Sequence, residues 1–297
     1  MPEIGNNTVK ADIDLVDETF DVSQSGSYHL SIQIEPDKFS YCVFNTVINK
    51  YIVLRSYPLF IKDTKSVTGH LSLFNAYFPI FENDNLLSLS YKSSSLLWVS
   101  PRYTLVPEQL FDPMEADLYL TFNQGTVADE YILHRYIRPA RSYCVFSCPE
   151  ELMNLMQTYQ PRIRFFHQSE PFIESFFAGS STTDEVNMAI YYYQHWLDVV
   201  MSKNEKLLFY NSFQINAPAD SFYYLLGVTN LFDVVLLSTK LKYAGNLKQM
   251  PPEIEILKGY VGSIVDFEQS GAFTYSHYIA EPFRRNFIHL FNLYGCE

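Results

Sequence analysis

Residues 30–54 read LSIQIEPDKFSYCVFNTVINKYIVL. Leu30 to Ile34 alternates apolar and polar residues, the period of a strand. Glu35-Pro36-Asp37-Lys38 is turn chemistry, because proline fixes one φ and Asp bonds to nearby backbone. Phe39 to Phe44 is rich in aromatic and β-branched residues, which suit a pleated surface. Asn49-Lys50 then turns the chain into Tyr51 to Leu54. The stretch is a strand–turn–strand–turn–strand meander.

The pattern returns at residues 186–215, VNMAIYYYQHWLDVVMSKNEKLLFYNSFQI. Val186 to Tyr193 reads as a strand, Gln194-His195 as a turn and Trp196 to Met201 as the second strand. Ser202-Lys203-Asn204-Glu205 turns into Lys206 to Ile215. A repeat at this long a period implies a duplicated domain and not a solenoid. The expected division is an acidic lead-in over 1–26, a first unit over 27–180 and a second over 181–297.

Each meander is followed by helices and further strands. In the first half, Leu96 to Ser100 reads as a strand and Glu108 to Leu120 as a helix. Tyr131 to Ile137 and Arg141 to Phe146 read as strands. Ser147, with Pro149 and Glu150-Glu151 behind it, reads as the N-cap of a helix reaching Tyr159. Arg162 to Phe166 is an expected strand, Glu170 to Phe177 a short helix, and Gly179 to Thr183 a linker. In the second half a helix is expected from Pro218 to Phe232, with strands at Val234 to Leu237 and Ile254 to Leu257. Phe283 to Leu293 fits either helix or strand. The fold class is α/β (α+β), with mixed sheets flanked by helices.

The 297 residues are 47% hydrophobic and 16% aromatic, with 23 Tyr and 24 Phe, enough for a large, ring-dense core. The net charge of −12 argues against a nucleic-acid partner, since phosphate binding needs clustered cations. No apolar run approaches a membrane span. The acidic N-terminus lacks the basic start of a secretory signal. Four cysteines in a chain this long read as reduced thiols, and the expected location is cytoplasmic.

Two such meanders, each followed by alternating helices and strands, resemble the layout of the actin-like ATPase superfamily (sugar kinases, Hsp70-type chaperones, actin), a ribonuclease H-like architecture of two lobes. The chain more closely resembles a Bacteroidetes family of unknown function assigned that fold. The residues that carry this are Leu30 to Leu59, Ser100 to Pro107, Tyr143 to Leu152, Leu207 to Phe213 with Tyr223 to Leu226, and Cys296-Glu297. The likeness runs from about residue 15 onward. The lobes are also similar in outline to the actin-like components of type IV pilus and type II secretion machines, which act as assembly platforms.

That resemblance implies where chemistry would sit. Catalytic members cradle phosphates in the loop between the first two strands of each half. Asp there positions Mg²⁺ or water, and Gly lets backbone N–H groups approach the phosphate. Here the first loop holds Glu35, Pro36 and Asp37, with no glycine and one N–H missing at Pro36. The second holds His195 and Trp196, with neither acid nor glycine. The adenosine-side glycine pair after a strand has its nearest match in Gly259 and Gly262. These positions imply a degenerate site: no cofactor, no catalytic residue and a non-catalytic scaffold or interaction module. The alternative is a diverged nucleotide-binding enzyme or ATP-dependent switch.

Other groups offer less. Cys144 and Cys148 lack the second pair that a zinc site needs, although Cys148 beside a helix start would favour a thiolate. No two histidines share metalloprotease spacing, and no metal site is expected. Arg135, Arg138 and Arg141 form a cationic cluster, and Arg162 with Arg164 would share one face of a strand. Tyr191, Tyr193 and Trp196 concentrate aromatic area at the second turn. Partner-binding candidates are therefore Tyr191, Tyr193, Trp196, Arg162 and Arg164, for a protein partner.

Overall fold

The computed structural model describes residues 10–59, 70–179, 186–193, 195–217, 219–245, 252–267 and 273–296. The lead-in supplies β1 (Ile13–Val16), followed by the expected meander of β2 (Tyr28–Glu35), β3 (Lys38–Asn45) and β4 (Lys50–Pro58). Then come α1 (His70–Asn83), β5 (Ser93–Trp98), β6 (Tyr103–Pro107), α2 (Ala116–Gln124), β7 (Glu130–Ile137) and β8 (Ser142–Pro149). The first half ends with α3 (Glu150–Tyr159), β9 (Arg164–His167) and α4 (Ser169–Ala178). The second meander is β10 (Asn187–Tyr192), β11 (Trp196–Lys203) and β12 (Lys206–Gln214). After it come α5 (Asp220–Leu231), β13 (Lys240–Gly245), α6 (Pro252–Lys258), β14 (Ser263–Asp266), β15 (Thr274–Tyr275), α7 (Glu281–Asn286) and α8 (Ile288–Asn292).

The two large sheets share one plan. The first runs β1-β4-β3-β2-β5-β9, with β15 also on β4, and the second runs β12-β11-β10-β13-β14. In both, an antiparallel meander is extended on its first strand by two parallel strands. This is the mixed α/β architecture expected. A third sheet, β6-β8-β7, carries α2 and is inserted between β5 and β9.

The alternation in β2 ordinarily marks a strand with one wet face. Here every residue of β2 is buried. One face, Leu30, Ile32 and Ile34, packs under α1 and α3. The polar face is covered because the C-terminal segment returns to the first sheet. β15 pairs with β4, and Phe287, Leu290 and Phe291 pack on Cys42, Phe44, Tyr51 and Leu54. His29, caught beneath it, is satisfied by Ser93 and Ser31 at 2.8 and 3.1 Å.

Several local expectations are corrected. The helix expected from Glu108 is broken: Glu108–Leu110 and Pro113–Glu115 each make a single 3-10 turn, Phe111 between them stacks on Tyr143 at 3.9 Å, and α2 begins only at Ala116. Ser147 caps nothing. β8 stays in register with β7 through Pro149, so ladder pairing prevails over the cap and α3 starts at Glu150. Arg162 lies in the turn before β9, so it does not share a strand with Arg164. Val234 to Leu237 is no strand, for Val235 and Leu237 are exposed and the paired strand is β13. Ile254 to Leu257 is helical. Pro252 opens α6, and Ile254 and Leu257 bury one helical face. Gly259 and Gly262 fall between α6 and β14, not after a strand. Phe283 to Leu293 resolves into α7 and α8. Most of the expected linker lies outside the described residues.

Candidate functional site: the face between the two sheets

The β2–β3 and β10–β11 turns are where the superfamily's chemistry would lie. Glu35 and Lys38 are ladder partners, so only Pro36 and Asp37 form the first turn. Neither has a positive φ. Pro36 offers no N–H, and the Asp37 carbonyl accepts from Leu59 N–H at 2.7 Å. The β11–β12 hairpin makes the contrast. Asn204 and Glu205 both take positive φ, 51° and 59°, the twist-matched turn that a proline forbids.

Glu35 is buried and already neutralised. Its Oε1 accepts from Gln33 Nε2 at 2.7 Å and pairs with Lys38 Nζ at 2.9 Å. Lys38 in turn sits 5.1 Å from the Phe287 ring, at the junction of α7 and α8. The carboxylate that comes nearest to the expected metal-positioning acid is therefore held in a lysine pair.

The second turn closes as tightly. Tyr193 N–H donates to the Trp196 carbonyl at 2.9 Å and Ile215 N–H to that of His195. His195 is exposed and Trp196 half-buried against the cluster beneath. Tyr191 and Tyr193 are not an exposed anchor: they are 2% and 6% accessible. Residues two apart on a strand share a face, and here that face is the interior. Tyr191 donates to the Asn286 carbonyl at 2.8 Å and stacks on His289 at 3.8 Å between centroids. The Tyr193 hydroxyl meets His289 Nδ1 at 2.8 Å.

Around these rings one apolar cluster spans the second sheet, the insert, α4 and α8. Phe172 of α4 lies 5.0 Å from His289, 6.2 Å from Tyr191 and 5.8 Å from Phe267. Tyr103 and Phe146 of the inserted sheet join through Tyr210 and His167. Asp198 is fully buried beneath and accepts from Tyr210 at 2.9 Å. Burial pushes its carboxyl up to about 7, with Ser212 and Tyr210 pulling the other way. Burial drives His289 down to about 3, so its ring is neutral. Burial also raises both tyrosines' hydroxyls well above their ordinary value.

The residues present therefore do not fit a magnesium-bound nucleotide. The first turn is two residues long and glycine-free, the acid leading into it is paired, and rings pack against the strand that leads into the second. Among the described residues no group of three or more His, Cys, Asp or Glu comes together to hold a metal. No helix among them is long and apolar enough to cross a membrane.

The remaining candidates sort by burial. Arg135 turns inward to Glu170 at 2.7 and 3.1 Å and covers the Phe166 ring at 3.7 Å. Arg162 and Arg164 are exposed, Arg162 in the turn before the end strand of the first sheet and Arg164 as that strand's first residue. Cys144 and Cys148 lie in a strand, fully buried, and burial raises both thiols, the reverse of a helix-start thiolate. A cavity of about 860 Å³, lined in part by Met188, Lys203, Lys240 and Lys242, lies at the opposite end of β10 from Tyr191.

Sequence reading missed the partners of these groups. His289, Phe172 and Asp198 carry no local signal. Gly245 had one, a glycine ending a strand. At φ +113°, a Cβ on it would stand 2.1 Å from the Tyr192 carbonyl oxygen.

A family model described as a protein of unknown function (DUF3822) matches residues 17–264. A Bacteroides thetaiotaomicron protein with actin-like ATPase fold and unknown function is similar at 24% identity and TM-score 0.77, covering 94% of this chain and 99% of that one. The PilM–PilN type IV pilus biogenesis complex is similar at 12% identity and TM-score 0.50, covering 91% and 98%. No curated protein matches.

Proposed function

Since the chain belongs to the DUF3822 family and has the actin-like ATPase fold, we propose that it is a non-catalytic member of that fold, a scaffold that binds another protein. The observation that carries this is the buried stack of Tyr191, Tyr193, His289 and Phe172, packed between the strand that leads into the second turn and helices α4 and α8. Bound nucleotide would have to displace a buried, hydrogen-bonded cluster, and no glycine-lined backbone waits to receive its phosphates.

A locked interlobe core turns the fold into a rigid body whose remaining asset is surface. The acidic balance points to a protein and away from nucleic acid. PilM, of the same fold, stands in a complex with PilN, and this is the class of role proposed. The test is steady-state hydrolysis of Mg-ATP by the purified chain. The expected rate is that of buffer alone. A rate that Glu35→Gln abolishes would overturn the proposal.

A further inference from the structure

The inserted sheet carries a helix that is apolar on both faces. The inner face of α2, Ala116 and Leu120, packs on Val106 and Val145, with Phe111, Tyr119 and Ile132 around them. That contact alone accounts for the helix. Yet Leu118 and Phe122, one turn apart on α2, are 57% and 87% exposed, and Met114, in the 3-10 turn (Pro113–Glu115) that leads into the helix, is 86% exposed. Side chains four apart stand in one row along a helix. Isolated exposed apolar residues need no explanation, but a contiguous row does. Leu110, whose carbonyl accepts from Tyr119 of α2, is likewise 68% exposed.

Charge defines what fits there. Between Arg102 and Arg135 the chain contains no Lys or Arg, and Arg102 itself, which donates to the Gln124 and Gly125 carbonyls at the end of α2, is paired with Glu130. Asp112, Glu115 and Asp117 are all exposed. Asp117, in the first turn of α2, lies to one side of Leu118, and Glu115, the N-cap of α2, to the other. An apolar ridge with acid on both flanks complements an apolar stripe with bases on both flanks.

We propose that the outer face of α2 is a docking site for an amphipathic helical segment of a partner protein whose apolar stripe is flanked by Lys or Arg. This gives a surface and a partner chemistry to the scaffold role proposed above. Apolar contact supplies the affinity, and the acids supply orientation and a salt-dependent encounter rate.

The probe is a synthetic fluorescein-labelled helical peptide with Leu at a, d and e positions and Lys flanking them, read by anisotropy. Controls are its Glu-flanked and scrambled counterparts. The wild-type chain is expected to bind the Lys-flanked peptide only, more weakly as salt rises. L118S/F122S, at exposed positions, is expected to keep the wild-type melting temperature and lose binding about tenfold or more. Glu115→Lys with Asp117→Lys is expected to lose it while keeping the apolar row. Equal binding of all peptides, equal binding by the variants, or no binding by wild type would overturn the proposal. So would a wild-type dimer that L118S/F122S converts to monomer, since the occupant would then be a second copy. ATP hydrolysis at the interlobe site would overturn the scaffold role but leave these binding curves unchanged, so the two can fail separately.

Discussion

The Tyr193 hydroxyl and His289 Nδ1 lie 2.8 Å apart and fasten the chain just past β10, in the second sheet, to a helix packed on the first. Both groups are buried, and the neutral imidazole suits a contact with no charge to solvate. Tyr193→Phe removes the hydroxyl and leaves that nitrogen without its partner. The expected cost is about 1–3 kcal/mol in chemical denaturation. His289→Ala also removes the ring stacked on Tyr191 and should cost more. Wild-type stability in both variants would mean that the contact does not hold the lobes.

Asp198 gives the interlobe core a pH signature. Its carboxyl titrates near 7 in the fold because burial disfavours the charge. Between about pH 4 and 7 the folded chain holds a proton that the unfolded chain has released. This group's contribution to stability therefore falls as pH rises through that window and levels off above it. Asp198→Asn should gain on wild type by up to roughly 1.4 kcal/mol per pH unit there. Parallel stability profiles for the two proteins would contradict the assignment.

Arg135 and Glu170 pin the inserted sheet to α4 through two bonds of 2.7 and 3.1 Å. Arg135→Ala strands a buried carboxylate. Removing one partner of such a pair costs about 3–5 kcal/mol. The loss should be largest near pH 8 and shrink near pH 5, where Glu170 takes up a proton, because burial already raises it to about 7. A pH-independent loss would point to lost packing over Phe166 instead.

Gly245→Ala would place a methyl group against the Tyr192 backbone at a φ that L residues avoid. Backbone cannot swing aside as a side chain can, so β10 and β13 must separate where they approach the interlobe face. The expected result is a loss of about 2 kcal/mol or more, with a fall in soluble yield. Unchanged stability would show that the strands part freely.

Both meanders and both glycine-free turns were legible in the sequence, because period-two alternation and turn residues are local signals. So was the fold, through its resemblance. What the sequence hid was non-local. The run Pro252-Glu253-Ile254-Glu255-Ile256-Leu257 alternates like a strand, yet its opening proline and buried Ile254 and Leu257 make a helix. Tyr191 and Tyr193 read as surface anchors because nothing nearby announces that α8, almost a hundred residues on, returns to cover them. Burial of a strand's second face depends on a distant segment, and periodicity does not report it.

Rings packed beside the two turns should leave no room for nucleotide, and ligand-linked stability measures that. Thermal unfolding of the purified chain should give one melting temperature with buffer, Mg-ADP or millimolar Mg-ATP. A ligand at a hundred times its dissociation constant adds about 2.7 kcal/mol, a shift of several degrees. An unchanged melting temperature is the predicted result. A rise with Mg-ATP that Glu35→Gln removes would contradict the account and return the interlobe face to nucleotide chemistry.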